Sequence, residues 1–96
     1  MRVRWTQAAL GDFQTISRRV EQERNLAFSN RVCRAIYDQI QVLRRHPLSG
    51  RPGSKPGTRE LILAKLPYIV AYRYLESDAV EILRIWHGAQ DWRAEI

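Results

Sequence analysis

A single cysteine, Cys33, stands among the 96 residues, which rules out an intramolecular disulfide and any cysteine-based metal site. Such a chain suits a reducing compartment, and we expect a cytoplasmic protein. Apolar runs never exceed a few residues, so no membrane span is expected, and the opening Met1-Arg2-Val3-Arg4-Trp5 does not read as a signal peptide. Histidine is scarce, and neither His46 nor His87 has a partner at metal-ligand spacing, so we expect no metal and no cofactor. Negative charge is in the minority: ten acidic residues face sixteen basic ones, a formal net charge of +6. Fourteen of the sixteen are Arg, whose fork suits phosphate and carboxylate, so a polyanionic or acidic partner is expected. The cations are spread along the chain without a basic tail, which argues against simple coating of nucleic acid.

The length is that of one domain, 1–96, burying about 60–65% of its extended surface. Residues 2–5 alternate and read as a short strand. Thr6 can cap a helix over 7–23, in which Ala9, Phe13, Ile16 and Val20 make one narrow apolar stripe. Gly11 weakens this helix but would let a neighbouring element approach closely. Asn25 can cap a second helix over 26–45 with a wider apolar face from Phe28, Val32, Ala35, Ile36, Ile40 and Leu43. Arg34 and Asp38, one turn apart, suggest a surface ion pair. His46-Pro47 ends the helix, because the residue before proline is pushed out of the α region.

Residues 47–57 (PLSGRPGSKPG) read as a loop, and their glycines lack the Gly-Lys-Ser/Thr ending of a phosphate loop. Three strand candidates follow at 58–64, 68–75 and 79–86, separated by short turns. The expected fold is α+β with order β-α-α-β-β-β: a small antiparallel sheet with a helical hairpin across one face.

Alternation puts Arg59 with Leu61 and Leu63, and Val80, Ile82, Arg84 and Trp86 on one face of the last strand. Arg59 and Arg84 are then either an anion clamp on the open face or structural residues paired with Glu60, Glu81 or Asp91. His87 is the one side chain near the strand end able to act as a base near neutral pH, and no Ser, Cys or paired carboxylate completes a catalytic set. Cys33, mid-helix, reads as a small core residue. Trp86 and Trp92 either cover the core rim or anchor a partner.

Five segments in order then carry a resemblance: Gly50-Arg51-Pro52-Gly53, Gly57-Thr58-Arg59-Glu60-Leu61, Pro67 to Arg73 (PYIVAYR), Val80 to Arg84 (VEILR) and His87 to Trp92 (HGAQDW). Together with the helical hairpin, they resemble the RelE/ParE superfamily of bacterial toxins, on its ParE-like side, and the resemblance implies the same fold. RelE-like members cleave messenger RNA in the ribosomal decoding site with basic residues on the second strand, an Arg in a Tyr-Arg-Leu-Val-Tyr segment and groups near the C-terminus. ParE-like members poison DNA gyrase. Both are neutralised by an antitoxin that wraps the toxin. This chain has Ile69 where the ribonuclease pattern has its Arg, Glu60 and Ile62 where it has lysines, and Ala89-Gln90 in place of a basic pair after Gly88.

The resemblance therefore implies the toxin of a type II toxin–antitoxin system that inhibits gyrase by binding it, and is more consistent with a non-enzyme. Arg59, Arg84, His87, Gln90 and Trp92 are assigned to the target-binding surface. Phe13, Arg18, Arg34 and Arg73 are assigned to the antitoxin, an acidic or mixed amphipathic segment. The alternative is a metal-independent, ribosome-dependent endoribonuclease with His87 as base and Arg59 and Arg84 on phosphate. Expected partners are the cognate antitoxin and gyrase, or the ribosome with its message. DNA is expected only indirectly, through the antitoxin.

Overall fold

The computed structural model describes residues 1–75 and 78–88. Strand β1 (Arg2–Trp5) leads into helix α1 (Gln7–Glu23), which turns into α2 (Leu26–Gln41) and a 3-10 turn over Val42–Arg44. Then come β2 (Arg51–Pro52), β3 (Arg59–Ile62), β4 (Tyr68–Leu75) and β5 (Ala79–His87), in a sheet of order β1-β5-β4-β3-β2.

Both helices start where their caps are. The Thr6 hydroxyl oxygen accepts from the Ala9 N–H at 3.0 Å, and Asn25 Oδ1 accepts from the Phe28 N–H at 2.7 Å. The second helix is shorter than the 26–45 expected. Before Pro47 the chain tightens, and the Arg45 N–H bonds back to the Val42 carbonyl at 3.1 Å, a three-residue closure typical of a helix end. The α1–α2 crossing is close because a serine fits there: buried Ser29 donates to the Ser17 carbonyl at 2.8 Å. Gly11 plays no such part. It lies on the exposed side of α1 with open space where a side chain would project, so the close approach it would allow is not used among the described residues.

The sheet is mixed, where the expectation was antiparallel. Strands β2 to β5 form an antiparallel meander, and β1 adds to β5 in parallel, with Arg2 opposite Ala79 and Trp5 opposite Ile82. A parallel pair needs a long crossover, and everything from α1 to β4 supplies it. The main core lies between sheet and hairpin: Ile36, Ile40 and Leu43 meet Val70, Tyr72, Val80 and Ile82, all fully buried.

A bulge changes the faces of β5. Tyr72 stands opposite Ile82 and Ala71 opposite Arg84, which leaves Leu83 as an extra residue. Alternation therefore shifts at that point. Val80, Ile82 and Ile85 face the helices, while Leu83 and Trp86 join Ala71 and Ile69 in a second cluster. The expected single face of Val80, Ile82, Arg84 and Trp86 does not exist.

The 47–57 loop includes the two-residue β2 and is anchored to the core by one phenol. The Tyr72 hydroxyl donates to the Pro47 carbonyl at 2.8 Å and accepts from the Gly50 N–H at 2.8 Å. A Cβ at position 50 would lie 2.6 Å from that ring and hydroxyl, so only glycine fits. Cys33 is half-buried, less enclosed than expected of a core residue.

Candidate functional site

The two arginines read as either an anion clamp or structural residues are held apart, on opposite flanks of the sheet. Arg59 shares the helix-side face with Tyr72 and turns to the loop, where Nη1 donates to the Gly50 carbonyl at 2.7 Å and, more weakly, to that of Leu48 at 3.4 Å. Arg84 reaches over the edge of β5 that β1 leaves uncovered. Its Nε and Nη2 donate to Asp12 Oδ2 and Oδ1 at 2.8 and 3.0 Å, a forked pair. Asp12 Oδ2 also accepts the Ile85 N–H at 2.9 Å, completing the edge as a strand would.

Among the described residues the carboxylate for Arg84 is Asp12, not Glu60 or Glu81. Glu60 binds Arg51 across β2 at 2.8 Å, Glu81 binds Arg73, and Asp91 lies outside the described residues. Asp12 carried a legible signal, since it lies three residues after Ala9 and one before Phe13, beside the apolar stripe of α1.

His87 is exposed at the end of β5. Its ring stands edge-on to Tyr68, centroids 5.9 Å apart, over a small notch of about 80 Å³ that Asp12, Thr15, Arg19 and Trp86 help to line. Burial raises the Tyr68 hydroxyl pKa above its ordinary 10.0, with the Arg19 charge opposing the shift. Arg19 was not singled out in the sequence; its position three residues after Ile16 borders the same stripe. Gln90 and Trp92 lie outside the described residues.

The sheet face away from the helices carries the positions where cations would serve RNA cleavage. Ile62 and Ile69 stand opposite each other across β3 and β4, and Ile69 stands opposite Trp86 across β4 and β5. Glu60, beside them, is almost completely buried against Arg51. Those three positions are thus two isoleucines and a paired acid, while elsewhere on the same face Arg51 and Arg73 are each held by a carboxylate. Among the described residues no group of three His, Cys, Asp or Glu could hold a metal, and no helix is long and apolar enough to cross a membrane.

Of the residues assigned to an antitoxin, Arg18 and Arg34 are exposed on the helical hairpin. The Arg34–Asp38 pair is not among the described ion pairs. Phe13 is half-buried against Trp5, ring edge to face at 5.4 Å, and acts first as core. Arg73 is exposed on the other face of the sheet, bound to Glu81. These four do not share one surface.

An α+β sheet of this order under a two-helix hairpin is the RelE/ParE toxin architecture, and three kinds of likeness narrow it. Residues 3–92 match the family model of the ParE toxin of the type II toxin–antitoxin system parDE. The chain is 42% identical over 91 residues to Y4kP of Sinorhizobium fredii, which bears a provisional toxin designation; the match covers 95% of this chain and 92% of that protein. Among solved structures, a chain of the chromosomal ParDE toxin–antitoxin system from P. aeruginosa superposes with a TM-score of 0.83 at 26% identity, covering 91% of this chain and 95% of its own. A chain of the toxin–antitoxin complex RelBE2 from Mycobacterium tuberculosis gives 0.66 at 25% identity, with 90% and 95% covered. The isolated E. coli RelE toxin, at 9% identity, 0.63, and 98% and 90% covered, shares the fold. The chain belongs to the ParE toxin family of type II toxin–antitoxin systems.

Proposed function

We propose that this toxin inhibits DNA gyrase by direct binding and is neutralised by a cognate antitoxin. The observation that carries the reading is the apolar face of Ile62, Ile69, Leu83 and Trp86 with Glu60 paired to Arg51. Cleaving RNA without a metal requires cations beside the phosphate to stabilise the charge that develops there. Arg59 is bonded to loop carbonyls and Arg84 to Asp12, so neither is arranged as a phosphate clamp. In this reading both arginines support the target-binding surface from behind, by fixing the 47–57 loop and α1. His87 belongs to its rim, and Gln90 and Trp92, outside the described residues, keep their assignment to target binding.

The antitoxin follows from relatives that occur in toxin–antitoxin systems and complexes. Its carboxylates would meet Arg18 and Arg34 on the hairpin and Arg73 on the sheet. The rival reading, ribosome-dependent RNA cleavage with His87 as base, has one feature in its favour, the exposed imidazole beside Tyr68.

Expression of the toxin without antitoxin separates the two. Gyrase inhibition gives loss of supercoiling by the purified enzyme at stoichiometric toxin, with ribosome-bound messages intact. Message cleavage with unaffected supercoiling would reverse the assignment. His87→Ala, checked for folding, should abolish cleavage in the rival reading but only weaken gyrase inhibition, as the loss of one rim contact.

A further inference from the structure

The charge of +6 is gathered in two parts of the chain. Residues 1–5 and 39–59 hold seven Arg and Lys and no Asp or Glu, whereas the remaining residues hold nine against ten. Of those seven, Arg51 is paired with Glu60, Arg59 holds the Gly50 carbonyl, and Lys55 is half-buried in the loop. The other four are Arg2 and Arg4 on β1 and Arg44 and Arg45 just beyond α2. All four are exposed, and none belongs to a described ion pair.

The fold fastens these two segments together. Arg44 Nε donates to the Met1 carbonyl at 3.2 Å, a bond between residues 43 apart in sequence. Beside it lies an open concavity of about 560 Å³ that Met1, Arg44, Arg45 and His46 help to line, with Asp38 the one carboxylate among the described lining residues. Two further acids are near. Asp78 gives its carbonyl to the Arg2 N–H, and Glu81, opposite Arg4 in the sheet, is held by Arg73.

We infer that this end of the toxin binds the phosphate backbone of duplex DNA directly. Arg2 and Arg4 alternate with Val3 and Trp5, which pack on the core, so the two guanidinium stems leave one side of a fixed strand about 7 Å apart. Arg44 and Arg45 add two more cations from the helix side of the same edge, joined to it through the Met1 carbonyl. Duplex DNA carries a charge about every 1.7 Å of its axis, so such a row can neutralise several phosphates together. No Phe, Tyr or Trp occurs from Asp38 to Pro67. Among the described residues lining the concavity none is Phe, Tyr or Trp, so it offers no platform on which unpaired bases could stack and no aromatic anchor of the kind protein interfaces centre on. Binding is therefore to backbone, independent of base sequence. It replaces the expectation that DNA is reached only through the antitoxin, and it does not depend on gyrase being the target.

The test is fluorescence anisotropy of the full-length toxin with a labelled random-sequence duplex of about 20 base pairs, at salt from about 50 to 200 mM. Wild type should bind with a Kd on the order of 10 μM at the low end and lose affinity steeply with salt. The double variants Arg2→Gln/Arg4→Gln and Arg44→Gln/Arg45→Gln should each weaken binding about fivefold or more, and lower the salt slope by about 0.9 for each phosphate no longer neutralised. The control Arg31→Gln/Lys65→Gln removes equal charge elsewhere and should stay within about twofold, with circular dichroism checking the fold of all variants. No binding by wild type would overturn the inference, as would an equal weakening in the control or tighter binding to single strands.

Discussion

Asp12 joins α1 to β5 through three hydrogen bonds, two from Arg84 and one from the Ile85 N–H. The side chains are 17% and 22% exposed, enough water exclusion for the pair to matter and too much exposure for it to rank with a fully buried one. Asp12→Ala removes the acceptor for a charged fork and a backbone donor together. We expect a loss of about 1.5–3 kcal/mol in urea unfolding, and a smaller loss in the Asp12→Ala/Arg84→Ala double variant than the sum of the singles. Additive single losses would mean that the pair contributes no coupling. Tyr72 is the second such residue, holding Pro47 and Gly50 at once. Tyr72→Phe should cost about 1–3 kcal/mol, since both backbone groups lose their partner. Burial also raises the Tyr72 pKa above its ordinary 10.0. A raised folded-state pKa means that the folded form keeps its proton longer than the unfolded one. Its contribution is therefore full below pH 10 and declines as pH rises toward the folded value. Urea midpoints from about pH 8 to 11 should fall at the alkaline end, less steeply in Tyr72→Phe, with Tyr68 supplying the remaining slope.

The glycines of the helix and the loop have opposite meanings. Gly11 has an exposed position inside a helix and open space around it, so Gly11→Ala should stabilise by about 0.5–1 kcal/mol through helix propensity alone. Gly50→Ala would force its methyl into Tyr72 and the Glu60 carbonyl, and should destabilise by about 1–3 kcal/mol. Thermal unfolding of the two variants should shift in opposite directions; a common direction would contradict the packing described. The same contrast explains what could be read before the fold was known. Thr6, Asn25 and their apolar stripes are local signals, and both helices start at the residues they mark. The meander was legible because short turns leave adjacent strands little choice. The direction of β1 was not, because its partner lies 77 residues away and a four-residue alternation does not specify parallel or antiparallel. The bulge at Leu83 was hidden too, since it is a two-against-one mismatch between strands. Without it Arg84 seemed to face the open sheet, and its bond to Asp12, 72 residues away, was missed.

The β1–β5 pairing ties the first residues of the chain to its last strand, and this makes folding a closure of the whole molecule. Val3 and Trp5 cover the core from the sheet's edge, and Thr6 continues the join: its N–H bonds to Ile82 and its hydroxyl to the Leu83 carbonyl, both at 3.0 Å. Helix α1 therefore starts from a point already fixed to β5, and Asp12 fastens it again further along. An element bonded at both places cannot loosen without exposing the hairpin's apolar side. Trp5, half-buried and edge-on to Phe13, is where this can be tested. Trp5→Ala should cost about 2–3 kcal/mol, part of the loss seen for fully buried aromatics. If closure is global, the loss appears equally in helical circular dichroism and in hydrogen exchange of β4 and β5 amides, because one transition exposes them all. If β1 were an appendage, only its own amides would exchange faster and the helical signal would melt at the wild-type midpoint. The position of β5, bonded to β1 on one side and β4 on the other, favours the first outcome: the strand that carries Arg84 and His87 is also the one on which the chain closes.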